Sequence, residues 1–103
     1  MASTTAQVSL NAAASGTGTT IDFTTAKAHV SAVISAGTVT DGAVLIEASH
    51  DGTVWVELGQ VRTLQALNQH FDVSGGAFRY FRARMAKSVT GAGRVTVTFM
   101  EAD

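Results

Sequence analysis

The residue pair His50-Asp51, followed by Trp55, is the first group in this sequence that could do chemistry. An imidazole beside a carboxylate can work as an acid–base pair or bind a metal ion. Adjacent residues on a turn do not converge on one reacting atom without further groups, however, and the sequence contains no nucleophile-elbow motif. We therefore predict that Asp51 stabilises a turn, that His50 is solvated, and that the chain is not an enzyme and has no catalytic, metal or cofactor site.

Trp55 is the single tryptophan, and it leaves two interpretations open. It can be a core residue or an anchor in a protein interface, because tryptophan supplies a large apolar area. It can also stack on a sugar, and the carbohydrate site would then comprise His50, Asp51 and Trp55.

Basic residues form the second group. Five of the seven fall between positions 79 and 94, a span without an acidic residue: Arg79, Arg82, Arg84, Lys87 and Arg94. Alternation places Arg82 and Arg84 on one strand face with Tyr80. These side chains can bind phosphate, pair across strands with Glu47, Glu57 or Asp72, or bind carboxylates of a partner protein. Because the net charge is −1, we expect no nucleic-acid partner.

Short strands must position both groups. The segment AVLIEASHDGTVWVELG, residues 43–59, alternates on both sides of Asp51-Gly52, which predicts two strands joined by a tight turn. Similar alternation recurs along the chain and predicts inward residues in other strands, namely Val8, Leu10, Phe71, Val73, Val95, Val97 and Phe99. It also predicts residues that share one strand face: Ile21 with Phe23, Val30 with Ala32 and Ile34, and Phe81 with Ala83 and Met85. Residues 65–68 fit either a strand or a helical turn. Seven or eight short strands at this spacing indicate an all-β antiparallel fold, either a sandwich or a barrel.

Composition narrows the class further. One domain over residues 1–103 is expected from the length, with residues 1–7 as a possible N-terminal arm. The chain has no cysteine, no signal-like N-terminus and no apolar run long enough to cross a membrane. Hydrophobic residues make up 46% and charged residues 15%, so the surface carries few charges. Such a composition favours a protein that buries surface in an assembly.

Two segments together resemble a known pattern. They are IEASHDGTVWVEL (Ile46–Leu58) and FRYFRARMAKSVTGAGRVTV (Phe78–Val97). They look like the S-x-D-G-x-x-W strand end and the R-Y-x-R-x-R strand of small tailed-phage virion proteins, and they are similar to discoidin-like jelly-roll sandwiches that bind sugars. The loops here are short and built of small residues, whereas sugar-binding relatives carry aromatic and acidic contacts in their loops.

The resemblance implies a fold, a single antiparallel β-sandwich of jelly-roll-like type. It also implies a virion protein, assembled in the host cytoplasm, that decorates and cements the capsid through protein interfaces. Its partner would be the major capsid protein or another virion protein, and it would form a homo-oligomer, a trimer or a dimer. Alternatives are a head–tail or tail component, or a module that binds carbohydrate or the host surface. The contact residues expected under the first interpretation are Ala2, Ser3, Thr4, Thr5, Tyr80, Arg82 and Arg84.

Overall fold

The computed structural model describes residues 7–13, 15–36, 39–62, 69–91 and 93–101, and within them every regular element is a β-strand. The six antiparallel strands are β1 (Gln7–Ala13), β2 (Ile21–Ala36), β3 (Val39–Ser49), β4 (Val56–Arg62), β5 (Gln69–Gly91) and β6 (Val95–Glu101). They are hydrogen-bonded in the order β1-β6-β2-β5-β3-β4. The prediction of an all-β antiparallel fold is confirmed.

This hydrogen-bonded order folds into a two-layer sandwich because β2 and β5 are long and each serves both layers. Layer one contains β1, β6, the second half of β2 and the first half of β5. Layer two contains the start of β2, the second half of β5, β3 and β4. Counting each half separately gives eight segments, four in each layer, in the orders 1-8-3-6 and 2-7-4-5. That order is jelly-roll-like.

The long strands change layers at a corner built from two irregularities. The pairing of β2 with β5 shifts register between Asp22 and Lys27 and again between Lys27 and His29. Thr24 lies inside this corner with φ at +67°, and its backbone amide donates to Asp22 Oδ1 at 2.7 Å. Such bulges bend strands and let them pass from one sheet to the other. β2 continues through this corner, and β5 continues through Gly75-Gly76.

The core lies between the layers and follows the alternation of the strands. Phe81 is fully buried at its centre, and its ring contacts three other phenylalanine rings at centroid distances of 5.6, 6.3 and 5.9 Å: Phe23, Phe78 and Phe99. Five of the predicted inward residues are buried, as expected: Leu10, Val73, Val95, Val97 and Phe99. The residues predicted to share a strand face are buried as well: Ile21, Phe23, Val30, Ala32, Ile34, Phe81, Ala83 and Met85. Phe71 is half-buried and packs against this core.

Four expectations need correction or lie at least partly outside the described residues. Val8 is 45% exposed rather than inward, because a register shift between Val8 and Leu10 breaks the alternation of β1. The predicted tight turn is a longer connection over residues 50–55. The proposed arm over residues 1–7 overlaps β1, since Gln7 pairs with Phe99. The rest of that arm, including Ala2, Ser3, Thr4 and Thr5, lies outside the described residues, as does the ambiguous stretch 65–68.

A buried serine joins the two layers beside the core. Ser9 of β1 is 4% exposed; its hydroxyl donates to the Thr19 carbonyl at 2.8 Å and accepts from the Ala83 amide at 3.0 Å. Gly18 lies so close that a Cβ at this position would be 2.5 Å from the Ser9 carbonyl oxygen. Two backbone bonds of 2.8 Å add to this contact: the Gly18 amide donates to the Ala83 carbonyl, and the Met85 amide donates to the Gly16 carbonyl. Together these bonds hold the β1–β2 connection against the edge of β5.

Candidate functional site

The β5 strand places the predicted contact residues on the outer face of layer two. Phe81, Ala83 and Met85 are buried between the layers, so the alternate residues Tyr80 and Arg84, with Arg82 between them, point outward. Strand β3 adds Glu47 opposite Arg82, and the connection between β3 and β4 adds Trp55, whose ring lies against the Arg82 guanidinium. We call this surface the Trp55–Arg82 face and define it as Glu47, Trp55, Tyr80, Arg82 and Arg84.

Glu47 is the electrostatic centre of this face. Arg82 Nε donates to Glu47 Oε1 at 2.8 Å, and Arg84 Nη2 donates to Glu47 Oε2 at 3.4 Å. The Glu47 side chain is only 8% exposed, whereas those of Arg82 and Arg84 are 23% and 39% exposed. The pairing with Glu47, one of the alternatives left open by the sequence, is therefore the one adopted.

The pKa of Glu47 reflects this environment. Burial acts to raise the pKa, but the hydrogen bonds from Arg82 and Arg84, with their positive charges, outweigh it and hold the pKa of Glu47 below its ordinary value. The carboxylate therefore stays ionised, and two guanidinium groups share a single negative charge. Arg84 makes the longer of the two bonds and is the more exposed, so its remaining N–H donors can reach a carboxylate on a partner.

Aromatic rings complete the face. The Arg82 guanidinium lies 4.0 Å from the Trp55 ring centroid, and Arg79 lies 4.9 Å from that of Tyr80. Trp55 is half-buried, and a sugar would have to share the ring with this guanidinium. Cation–π contact and the ion pair together fix the position of Arg82.

The residues at the tip of the β3–β4 connection have structural roles. Asp51 Oδ1 accepts hydrogen bonds from the backbone amides of Thr53 and Val54 at 2.9 and 3.0 Å and from the Ser49 hydroxyl at 3.1 Å. These bonds lower the pKa of Asp51. His50 is exposed and stacks on Phe78 with 5.1 Å between ring centroids. The prediction that Asp51 stabilises the turn is confirmed. His50, Asp51 and Trp55 thus have separate local partners.

The basic residues of β5 are paired with acidic groups. Beside the two arginines on Glu47, Arg79 makes a bidentate pair with Asp22 at 2.7 and 2.9 Å, and Lys87 pairs with Asp41. Arg79 lowers the pKa of Asp22. The strand that looked like a continuous basic stripe in the sequence is therefore largely neutralised by neighbouring strands.

Described residues line two concave sites, of about 290 and 190 Å³. The first is lined by Asp41, Gly42, Ala43, Gln60, Ala86 and Lys87, and the second lies beside Phe71. No cluster of three or more His, Cys, Asp or Glu side chains occurs among the described residues. The same ranges contain no helix that is long and apolar enough to span a membrane.

The sequence analysis did not identify the outer face of layer one as a candidate binding surface. There Val33 and Met100 are exposed between short polar side chains. The outward positions of β2 and β6, which carry Ser, Val and Thr in place of charged residues, were the available signal.

The fold and site together define a class: an all-β sandwich whose distinctive chemistry lies on its outer surface. Neither family models nor curated proteins give a match to this chain. Among solved structures it is similar to the crystal structure of the SPBc2 prophage-derived protein YomS, with a TM-score of 0.71 and 18% sequence identity. The likeness covers 96% of this chain and 92% of that one. At this identity it establishes a shared fold.

Proposed function

We propose that this chain is a non-enzymatic structural protein of a phage virion and that it decorates the capsid through protein–protein interfaces. The observation that carries the proposal is the likeness in fold, over nearly the whole of both chains, to a protein of prophage origin. The tailed-phage pattern at Ile46–Leu58 and Phe78–Val97 supports the same assignment independently.

The Trp55–Arg82 face supplies the chemistry for binding a capsid protein. Tryptophan, tyrosine and arginine are the residue types that dominate the binding energy of protein interfaces. Here Arg82 is already held by Glu47 and Trp55, so little side-chain entropy is lost when a partner covers it. Arg84 then offers a bidentate donor to a carboxylate of the major capsid protein. Binding at many equivalent positions on a shell would add avidity to each modest contact.

Co-sedimentation with purified capsids that lack the protein tests this function. Wild-type protein should bind saturably at a fixed copy number for each capsomer. R84Q, which removes the exposed donor and leaves Arg82 on Glu47, should lower the affinity about 10-fold or more, as loss of an interface arginine does. K87Q is the matched control, because it removes one positive charge from the same strand at a distance from Trp55, and it should bind within about twofold of wild type.

Three other outcomes would contradict this proposal, and two of them would point to a different role. A ring-shaped oligomer that ignores capsids would place the protein in the neck or tail. Glycan binding that disappears in a folded W55A variant would support the carbohydrate-binding alternative. Capsid binding that R84Q and K87Q weaken equally would show that general charge, and not the Trp55–Arg82 face, attracts the protein.

A further inference from the structure

The outer face of layer one differs in character from the Trp55–Arg82 face. Strand register arranges nine of its outward side chains in three rows, which are Val8-Thr98-Val33-His70, Met100-Ser31-Asp72 and Thr96-Ser35. We call these nine residues the layer-one face. Most of their side chains are short.

Exposed apolar groups lie side by side on this face. Val8 and Val33 are each 45% exposed and flank Thr98 from opposite strands. Met100 is 36% exposed and lies one outward position further along β6. Burying valine, serine and threonine costs little rotamer entropy compared with burying lysine or arginine. The layer-one face can therefore be covered at low cost.

Charge indicates which partner can cover it. None of the nine residues is Lys or Arg, and Asp72 is the one carboxylate, with His70 Nε2 3.6 Å from its Oδ2. In a two-fold symmetric contact the same patch meets itself, so several charges of one sign would repel each other across the interface. A nearly uncharged face avoids that repulsion and gives a charged partner little to recognise.

We propose that two copies of the chain pair through the layer-one face and form an isologous dimer. The molecule measures 39 × 26 × 19 Å, and two layers about 10 Å apart account for the shortest dimension. The layer faces are therefore the broad sides of the molecule. A contact centred on the nine residues and extended over the side chains around them would supply the roughly 800 Å² per partner, from about 20–30 residues, of a standard interface. The pairing is independent of the virion role. It would leave the two Trp55–Arg82 faces on opposite outer sides of the dimer, which makes the dimer bivalent.

Mass in solution, measured by light scattering during size-exclusion chromatography, tests the pairing. The wild-type protein should have a mass in solution of about 21 kDa, twice the 10.6 kDa of the single chain. V33K brings two ammonium groups into the centre of the symmetric contact and should give the 10.6 kDa monomer. V56K is the matched control, since Val56 is 47% exposed and lies on β4 in the other layer; it should keep the wild-type mass.

Several results would overturn the pairing: a monomeric wild type, a V33K variant that keeps the dimer mass, or a trimer, which isologous contacts cannot build. Circular dichroism must show that V33K is folded. If V33K is unfolded, the mass of V8K, a substitution at the edge of the same face, is measured instead, and a monomer mass is again the expected result. A monomeric wild type whose capsid binding is lost in V33K would assign the face to a capsid protein instead.

Discussion

The substitution E47Q isolates the charge at the centre of the Trp55–Arg82 face. Glutamine keeps the shape of the side chain but removes the charge that holds Arg82 Nε at 2.8 Å and Arg84 Nη2 at 3.4 Å. A hydrogen bond to a charged group contributes about 1.5–3 kcal/mol. Because Arg82 is 23% exposed and can partly rehydrate, we expect a loss of about 2 kcal/mol in the free energy of unfolding.

That loss translates into a measurable melting shift. Unfolding entropy near the midpoint is about 2.1 cal/mol/K per residue, or about 0.2 kcal/mol/K for a chain of 103 residues. E47Q should therefore melt about 9 °C below wild type at neutral pH. E57Q is the matched control, because Glu57 lies opposite Glu47 in the register of β3 and β4 but is exposed. It should stay within about 0.5 kcal/mol of wild type.

The pH dependence gives the same experiment a second readout. The pKa of Glu47 is lower in the folded protein than the ordinary value of 4.5. Its contribution to stability is therefore present above pH 4.5 and is lost as the pH falls through the folded pKa. Urea unfolding at about pH 7 and about pH 3 should show a difference between wild type and E47Q that shrinks at the lower pH. Equal stability at neutral pH, or a difference that does not change with pH, would refute the reasoning.

Two further predictions concern the backbone. G59A should destabilise the fold by about 1–3 kcal/mol in urea unfolding, because the new Cβ would overlap the Phe71 ring. G16A is the comparison: its Cβ meets open space and only its φ of +94° is strained, whereas Gly59 has no positive φ. A G59A variant as stable as wild type would contradict the predicted overlap. D51A should speed hydrogen exchange at the Thr53 and Val54 amides, whose acceptor it removes, while D51N keeps an acceptor; unchanged exchange in D51A would contradict the capping role.

Alternation in the sequence determined the strands and most of the core. Val95, Val97 and Phe99 are buried as their spacing predicts, because a strand turns alternate side chains to opposite faces whatever its neighbours are. The same rule put Tyr80, Arg82 and Arg84 on one outward face. The turn role of Asp51 was also local, since a carboxylate that accepts amides two and three residues onward needs no distant partner.

Pairing between distant strands decided the rest. The sequence offered Glu47, Glu57 and Asp72 as partners for the arginines, and register selected Glu47 by placing it opposite Arg82. A bulge, invisible to simple alternation, turned Val8 outward. The neutral layer-one face also arises only when β1, β6, β2 and β5 lie side by side. Each of these features depends on register between segments far apart in the chain, which local residue patterns do not specify.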